Sequence, residues 1–121
     1  MRNLITLTSL FLSGLLINNI ACADVPANQV SEVKHLLTFV KDSGCIINRN
    51  GTDYPAEEGI SHIKRKYDYF RDDIKSTEDF IEYSATKSTM SGDYYTVRCP
   101  GGKAMKTQDW LMTELKRFRA E

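Results

Sequence analysis

The chain has 121 residues, 41% of them hydrophobic, with 16 basic and 16 acidic side chains and a formal net charge of zero. Among the first 23 residues only Arg2 is charged, so residues 24–121 carry 15 basic and 16 acidic side chains. Proteins that neutralise nucleic-acid phosphates or bind anionic lipid surfaces have a clear basic excess. The charge balance therefore argues against both kinds of partner.

The first 23 residues are predicted to be a secretory signal peptide. Arg2 provides the positive start, Leu4 to Ile17 form an apolar segment, and Ala21-Cys22-Ala23 matches a small-x-small cleavage site. Cleavage after Ala23 predicts a single exported domain over residues 24–121, periplasmic or secreted, without a transmembrane segment. A second interpretation stays open, in which Cys22 is lipidated and anchors the protein, although the leucine typical three residues before such a cysteine is missing.

Apolar side chains at helical spacing predict helices in four parts of the exported domain. The first covers Val30 to Val40 and ends near Gly44, and a long second helix starts at Pro55 and extends to Ile74. A short third helix opens at Ser76 with a pattern close to a capping box. The last helix begins with Thr107 as its N-cap.

Two short segments rich in β-branched or aromatic residues predict strands. Cys45 to Arg49 leads into an Asn50-Gly51 turn, and Tyr94 to Cys99 ends before Pro100. Cleavage after Ala23 leaves Cys45 and Cys99, an even count in an oxidising compartment, which favours a disulfide over two separate thiols. If the two strands pair antiparallel, Cys45 lies beside Cys99. We expect an α+β fold with about four helices packed on a minimal two-stranded antiparallel sheet, stapled by one disulfide.

Known catalytic and metal-binding patterns are not recognised in the sequence. Gly59 to Ile63 begins like a nucleophile elbow but lacks its final glycine and lies within a predicted helix. His35 is expected on the polar surface, whereas His62 borders an apolar stripe and either titrates in a groove or is held by a backbone carbonyl. We therefore expect no cofactor, no metal site and no assignable catalytic residue. An unrecognised hydrolase that uses His62 is the less favoured alternative.

The segment from Ser91 to Tyr95 has the pattern Ser-Gly-x-x-Tyr. It resembles the loop by which periplasmic inhibitors of lysozyme enter the enzyme's cleft, where serine and tyrosine hydroxyls meet catalytic carboxylates. Those inhibitors are β-rich, whereas this chain is predicted to be mostly helical. The alternative interpretation is a loop that leads into a strand whose tyrosines pack in the core.

A broader resemblance rests on seven short motifs. They are Ser43-Gly44-Cys45, Arg49-Asn50-Gly51, His62 with Lys66-Tyr67, Glu78-Asp79-Phe80-Ile81, Ser91-Gly92 with Tyr95, Val97-Arg98-Cys99-Pro100-Gly101 and Trp110-Leu111. In this order they resemble the small exported bacterial proteins of the YfeK type, a domain family of unknown function, over roughly Val30 to Arg119. The resemblance implies an envelope protein with the cysteine pair and a mainly helical fold, and it implies no activity. Polar or turn positions within it are the candidate binding residues: Arg49, Asn50, His62, Lys66, Ser91, Gly92, Tyr95 and Arg98.

Compartment, size and this resemblance favour a non-catalytic binding, inhibitor or accessory domain of the bacterial envelope. Its expected contact surface is the Ser91–Tyr95 loop with the neighbouring Arg49-Asn50 turn. The alternative is a protein that binds cell-wall glycans or small ligands on aromatic stacking faces. The rings expected for that role are Tyr67, Tyr94, Tyr95 and Trp110.

Overall fold

The structure, a computed structural model, describes residues 24–121, so the predicted signal peptide and Cys22 lie outside the described residues. Four helices are present in this part of the chain: α1 (Val30–Asp42), α2 (Ala56–Tyr69), α3 (Thr77–Ala85) and α4 (Thr107–Arg119). Four strands accompany them: β1 (Ile46–Arg49), β2 (Thr52–Pro55), β3 (Thr96–Arg98) and β4 (Met105–Lys106). Short 3₁₀ turns are formed by Ala27–Gln29 and Arg71–Asp73. Within residues 24–121 no helix has the length and apolar character needed to cross a membrane.

The sheet is antiparallel and four-stranded, in the order β2-β1-β3-β4. The prediction of a minimal two-stranded sheet is therefore wrong. Asn50 and Gly51, with φ angles of 52° and 83°, form a two-residue turn that pairs Arg49 with Thr52 and adds β2 to the sheet. Strand β4 adds a second short edge beside β3. Because both edge strands are short and largely exposed, no alternation of apolar residues marks them in the sequence.

A disulfide joins Cys45, which precedes β1, to Cys99, which follows β3. The antiparallel register places Ile46 opposite Arg98, so the two cysteines lie side by side at one end of the sheet. This arrangement confirms both the disulfide predicted from the even number of cysteines and the predicted antiparallel pairing that sets them side by side.

A single hydrophobic core joins all four helices to the sheet. Each helix and the two central strands contribute buried side chains to it: Leu36, Ile63, Phe80, Ile81, Leu111, Leu115, Ile47 and Val97. Helix α2 packs closely on β1 at Gly59, where a Cβ atom would lie 3.1 Å from the Cδ1 of Ile47. A larger residue at this position would displace α2 or force Ile47 to shift.

Helix ends follow the sequence signals in part. Helix α2 ends at Tyr69, and a 3₁₀ turn continues the chain to Ile74, so the predicted long helix is shorter than expected. Ser76 caps α3 as predicted, because its Oγ accepts a hydrogen bond of 3.0 Å from the backbone N–H of Asp79. Thr107 is the first residue of α4 rather than its N-cap, and its buried Oγ1 has no hydrogen-bond partner among the described residues.

His35 connects α1 to α4 instead of lying on the polar surface. Its Nε2 is 2.6 Å from the Oε2 of Glu114, and its ring stacks on Phe118 with 4.0 Å between centroids. Hydrogen bonds from Arg117, and then from His35, lower the pKa of Glu114 to about 2 although burial opposes this shift. Glu114 is therefore ionised at neutral pH and holds the two helices together.

We expect replacement of Cys45 and Cys99 by alanine to lower the free energy of unfolding by about 4 kcal/mol, because the disulfide closes a loop with a sequence separation of 54 residues. Urea denaturation at neutral pH measures this loss. The reduced wild-type protein is the matched control and should lose a similar amount. An unchanged unfolding midpoint in the double variant would contradict the expectation.

Candidate functional site

A cleft of about 700 Å³ lies between α2, the β1–β2 turn and the loop over residues 86–95. We call it the Tyr95 cleft, and it is lined by Arg49, Asn50, His62, Arg65, Lys66, Asp68, Tyr69, Phe70, Ser88, Thr89, Met90 and Tyr95. Its volume falls within the range of small-molecule binding sites. The lining combines positive charges, hydroxyl groups and apolar side chains, which are the elements of a ligand site.

Tyr95 is fixed by its backbone as well as by its side chain. Its N–H donates to the carbonyl of Thr86 at 2.9 Å, and its own carbonyl accepts from the N–H of Thr107 at 3.0 Å. The first bond ties Tyr95 to the end of α3 and the second ties it to the start of α4. Because Tyr95 is only 3% exposed, its ring has little freedom and its hydroxyl has a defined position.

The Tyr95 hydroxyl is contacted by two side chains of α2. His62 Nε2 lies 3.0 Å from it, and the Nζ of Lys66 donates to it at 3.4 Å. Lys66 also donates to the carbonyl of Lys87 at 2.7 Å, which joins α2 to the loop that follows α3. Residues 62 and 66 are one helical turn apart and therefore face the same side of α2.

The electrostatic environment of the cleft is positive. Burial, followed by the charges of Arg49, Lys66 and Arg65, lowers the pKa of His62 to about 4. Burial, and then the charge of Arg49, also lowers the pKa of Lys66. Both shifts disfavour the charged form, which indicates that nearby negative charge does not balance these cations.

The arginines that line the cleft have no ion pairs, whereas the other arginines of the described residues are paired. Those outside it each have a carboxylate within 4 Å: Arg71, Arg98, Arg117 and Arg119. Arg49 and Arg65 have none within residues 24–121, and Lys66 has none either, like the other lysines of these residues. The one carboxylate in the lining, Asp68, is paired with Arg71 at 2.5 Å. The cleft therefore has a local excess of positive charge.

Arg49 extends from β1 between two aromatic rings. Its guanidinium carbon lies 5.0 Å from the ring centroid of Tyr54 and 6.0 Å from that of Tyr95. Its buried Nε has no hydrogen-bond partner in the described part of the chain. A planar guanidinium held in this way is suited to bidentate contact with a carboxylate or phosphate.

The edge of the cleft is held by hydrogen bonds between the β1–β2 turn and the loop. Asn50 Nδ2 donates to Ser88 Oγ at 3.3 Å, and Ser91 Oγ donates to Asn50 Oδ1 at 2.8 Å. The N–H of Gly92, whose φ is 80°, donates to the carbonyl of Ser88 at 2.9 Å. The Ser91–Tyr95 segment is therefore tied back to the body of the domain.

Comparison with known proteins gives the family. Residues 27–119 match the model of a family described as a family of unknown function, DUF5329. The chain belongs to this family. No curated protein and no solved structure matches it. The match confirms the expectation of a domain family of unknown function.

The fold brings together most of the site residues expected from the sequence. Those that line the cleft are Arg49, Asn50, His62, Lys66 and Tyr95, while Ser91 and Gly92 hold its edge. Arg98 lies elsewhere, exposed on β3 and 3.8 Å from Asp53. Sequence reasoning missed Arg65, because opposite charges surround it on α2 and suggest a solvated face. It also missed Phe70, Ser88 and Met90, which no motif connects to the site.

The rings expected for glycan stacking are dispersed. Within residues 24–121 only Tyr95 of the four lines the cleft. Tyr67 packs edge-on against Phe80 at 5.0 Å, and Trp110 packs against Phe39 at 4.8 Å, so both contribute to the interior. The arrangement offers no shared aromatic platform in the described residues.

Proton transfer to His62 changes which donors face the cleft. The Tyr95 oxygen accepts from Lys66, and when His62 is protonated its Nε2 must donate to the same oxygen. Both acceptor positions of the hydroxyl are then used, which leaves its proton available to a ligand. Protonation of His62 therefore adds a positive charge and a hydrogen-bond donor together.

Within residues 24–121 no cluster of three His, Cys, Asp or Glu side chains could hold a metal ion.

We expect the NMR titration of the His62 ring to give a pKa near 4. In the unfolded chain the pKa of histidine is about 6.5, so between these values only the unfolded state binds the proton. Stability should therefore fall as the pH decreases from 6.5 toward 4. Urea denaturation at pH 6.5 and pH 5 should show a smaller loss in His62→Gln than in the wild type. A His62 pKa near 6.5 would contradict the positive, partly buried environment.

Proposed function

We propose that this DUF5329 domain is an exported, non-catalytic binding protein that takes up an acidic group of another envelope molecule in the Tyr95 cleft. One observation carries the proposal. Arg49, Arg65 and Lys66 converge on the same cleft, and none of them has a carboxylate partner within residues 24–121.

Positive charges that converge without partners repel each other, and their repulsion is strongest where burial limits screening by water. A cleft lined by one sign of charge also raises the local concentration of oppositely charged ligands. An acidic group in the Tyr95 cleft would offset the repulsion and accept charge-assisted hydrogen bonds from Arg49 and Lys66. Binding of the acidic group would then relieve the repulsion between the cations, which destabilises the domain without a ligand.

The proposed location rests on three features of the chain. Residues 1–23 have the pattern of a signal peptide, and the motifs over Val30 to Arg119 resemble exported YfeK-type proteins. The Cys45–Cys99 disulfide is compatible with an oxidising compartment such as the periplasm. An acidic molecule of the bacterial envelope is therefore the proposed partner.

The geometry favours binding in the cleft over insertion of the Ser91–Tyr95 loop into a partner. Tyr95 is 3% exposed, and the hydroxyl of Ser91 is bonded to Asn50. An inhibitor or accessory role would therefore require the partner to present an acidic group to the cleft. Tyr95→Phe, which keeps the buried ring, is a better probe of this role than Tyr95→Ala, which would open a cavity.

Sulfate is a suitable probe for the anion site. At pH 6 and constant ionic strength, we expect sulfate to shift the NMR signals of His62 and Tyr95, and Arg49→Gln to weaken its binding about tenfold, since a charge-assisted hydrogen bond is lost. Arg98→Gln is the matched control, because it removes the same charge from an exposed arginine outside the cleft. It should leave the affinity unchanged.

Two results would contradict the proposal. An equal loss of sulfate affinity in both variants would mean that only the net charge of the domain matters. If sulfate shifts only the NMR signals of residues outside the cleft, the anion site lies elsewhere. Urea denaturation of each variant separates a loss of binding from a loss of folding.

A further inference from the structure

The Tyr95 cleft has different chemistry at its two ends. His62 and Lys66 lie toward one end, and Tyr69 and Phe70 lie further along α2. Eight residues of helix separate His62 from Phe70, which corresponds to about 12 Å along the axis. A ligand that follows α2 would therefore meet cations first and aromatic rings next.

The apolar end is unusually exposed for its residue types. Met90 is 96% exposed and Tyr69 is 79% exposed, and both line the cleft. Phe70 also lines the cleft, and its ring centroid lies 6.0 Å from the Nζ of Lys66. Contiguous exposed apolar surface that borders a polar site is typical of a surface that a ligand covers. Methionine suits such a surface, because its flexible side chain adapts to the shape of the ligand.

The volume of the cleft also exceeds what an acidic group alone requires. A cleft of about 700 Å³ is the size of a site for a complete small molecule. An ion such as sulfate would occupy the polar end and leave the apolar end uncovered. The domain carries nearly equal numbers of acidic and basic residues, which does not favour attachment to an anionic bilayer. A single dissolved molecule is therefore the better match.

On the basis of the proposed function, we infer that the ligand is a monomeric amphipathic acid, with a carboxylate or phosphate head between Arg49 and Lys66 and one alkyl or acyl chain along Tyr69, Phe70 and Met90. The charged head fixes the orientation and the chain supplies apolar contact. Both parts are needed, because the lining combines cations with exposed apolar side chains.

A series of fatty acids tests this inference on the oxidised protein. Acetate, hexanoate, octanoate and decanoate are titrated at pH 6 below the concentrations at which they form micelles. We expect the affinity to rise by up to about fourfold for each buried methylene and to level off when the chain outgrows the cleft. Octyl phosphate tests the second head group, and neutral octanol should bind at least about tenfold more weakly than octanoate.

Variants assign the two parts of the ligand to the two ends of the cleft. Met90→Ser should flatten the dependence of the affinity on chain length, and the exposed Met90 can be replaced without loss of folding. Met105→Ser is the matched control, since Met105 lies on β4 outside the cleft. Arg49→Gln should weaken the binding of every acid in the series.

The outcomes distinguish this inference from the proposed function. If sulfate and all the acids bind equally well at every chain length, the anion site stands and the amphipathic ligand is rejected. If octanol binds as well as octanoate, the chain alone drives binding and the inference is rejected as well. Binding only to vesicles of equal parts phosphatidylglycerol and phosphatidylcholine, without binding of octanoate, would replace the dissolved ligand by a membrane surface. If neither sulfate nor any acid binds, both proposals fail.

Discussion

The anchoring of Tyr95 is the constraint on which the rest of the candidate site depends. Its backbone links the end of α3 to the start of α4, and its hydroxyl contacts His62 and Lys66 on α2. The disulfide and the β1–β3 pairing fix the strand that follows Tyr95, so the ring cannot move independently of the sheet. The same residue thus joins three helices and brings its hydroxyl group to two polar side chains of α2.

This anchoring has an electrostatic consequence. To contact Tyr95, α2 brings His62 and Lys66 toward Arg49 of β1, and burial makes the positive charges costly. At the interface of α1 and α4, by contrast, the Oε2 of Glu114 lies 2.6 Å from the Nε2 of His35 and pairs with Arg117 of the same helix. The contrast between a neutralised interface and a cationic cleft within one small domain favours a ligand role for the cleft. Clusters of perturbed titratable groups are typical of functional sites.

Much of the fold could be predicted from the sequence, because the spacing of apolar residues indicates the helices and the even number of cysteines in the predicted exported domain indicates the Cys45–Cys99 disulfide. The edge strands β2 and β4 could not, since they are short and exposed and take their conformation from the neighbouring strand. The site was predictable only in part. Motif order selected His62, Lys66 and Tyr95, but their hydrogen bonds join α2 to the segment before β3 over about thirty residues and depend on tertiary packing. Arg65 also reaches the cleft only through tertiary packing, and in the sequence it looks like a residue on the solvated face of a helix.

The most direct test of the account is a measurement of the His62 pKa by NMR in the presence of saturating sulfate. Sulfate is a suitable ligand for this test, because it does not itself titrate between pH 4 and pH 7. If the cleft is an anion site, the bound charge offsets Arg49, Arg65 and Lys66, and the His62 pKa should rise well above its value of about 4 in the free protein. Binding should then be accompanied by proton uptake and become tighter as the pH falls. A His62 pKa that does not change with sulfate would contradict the account and leave the cluster as a feature of packing alone.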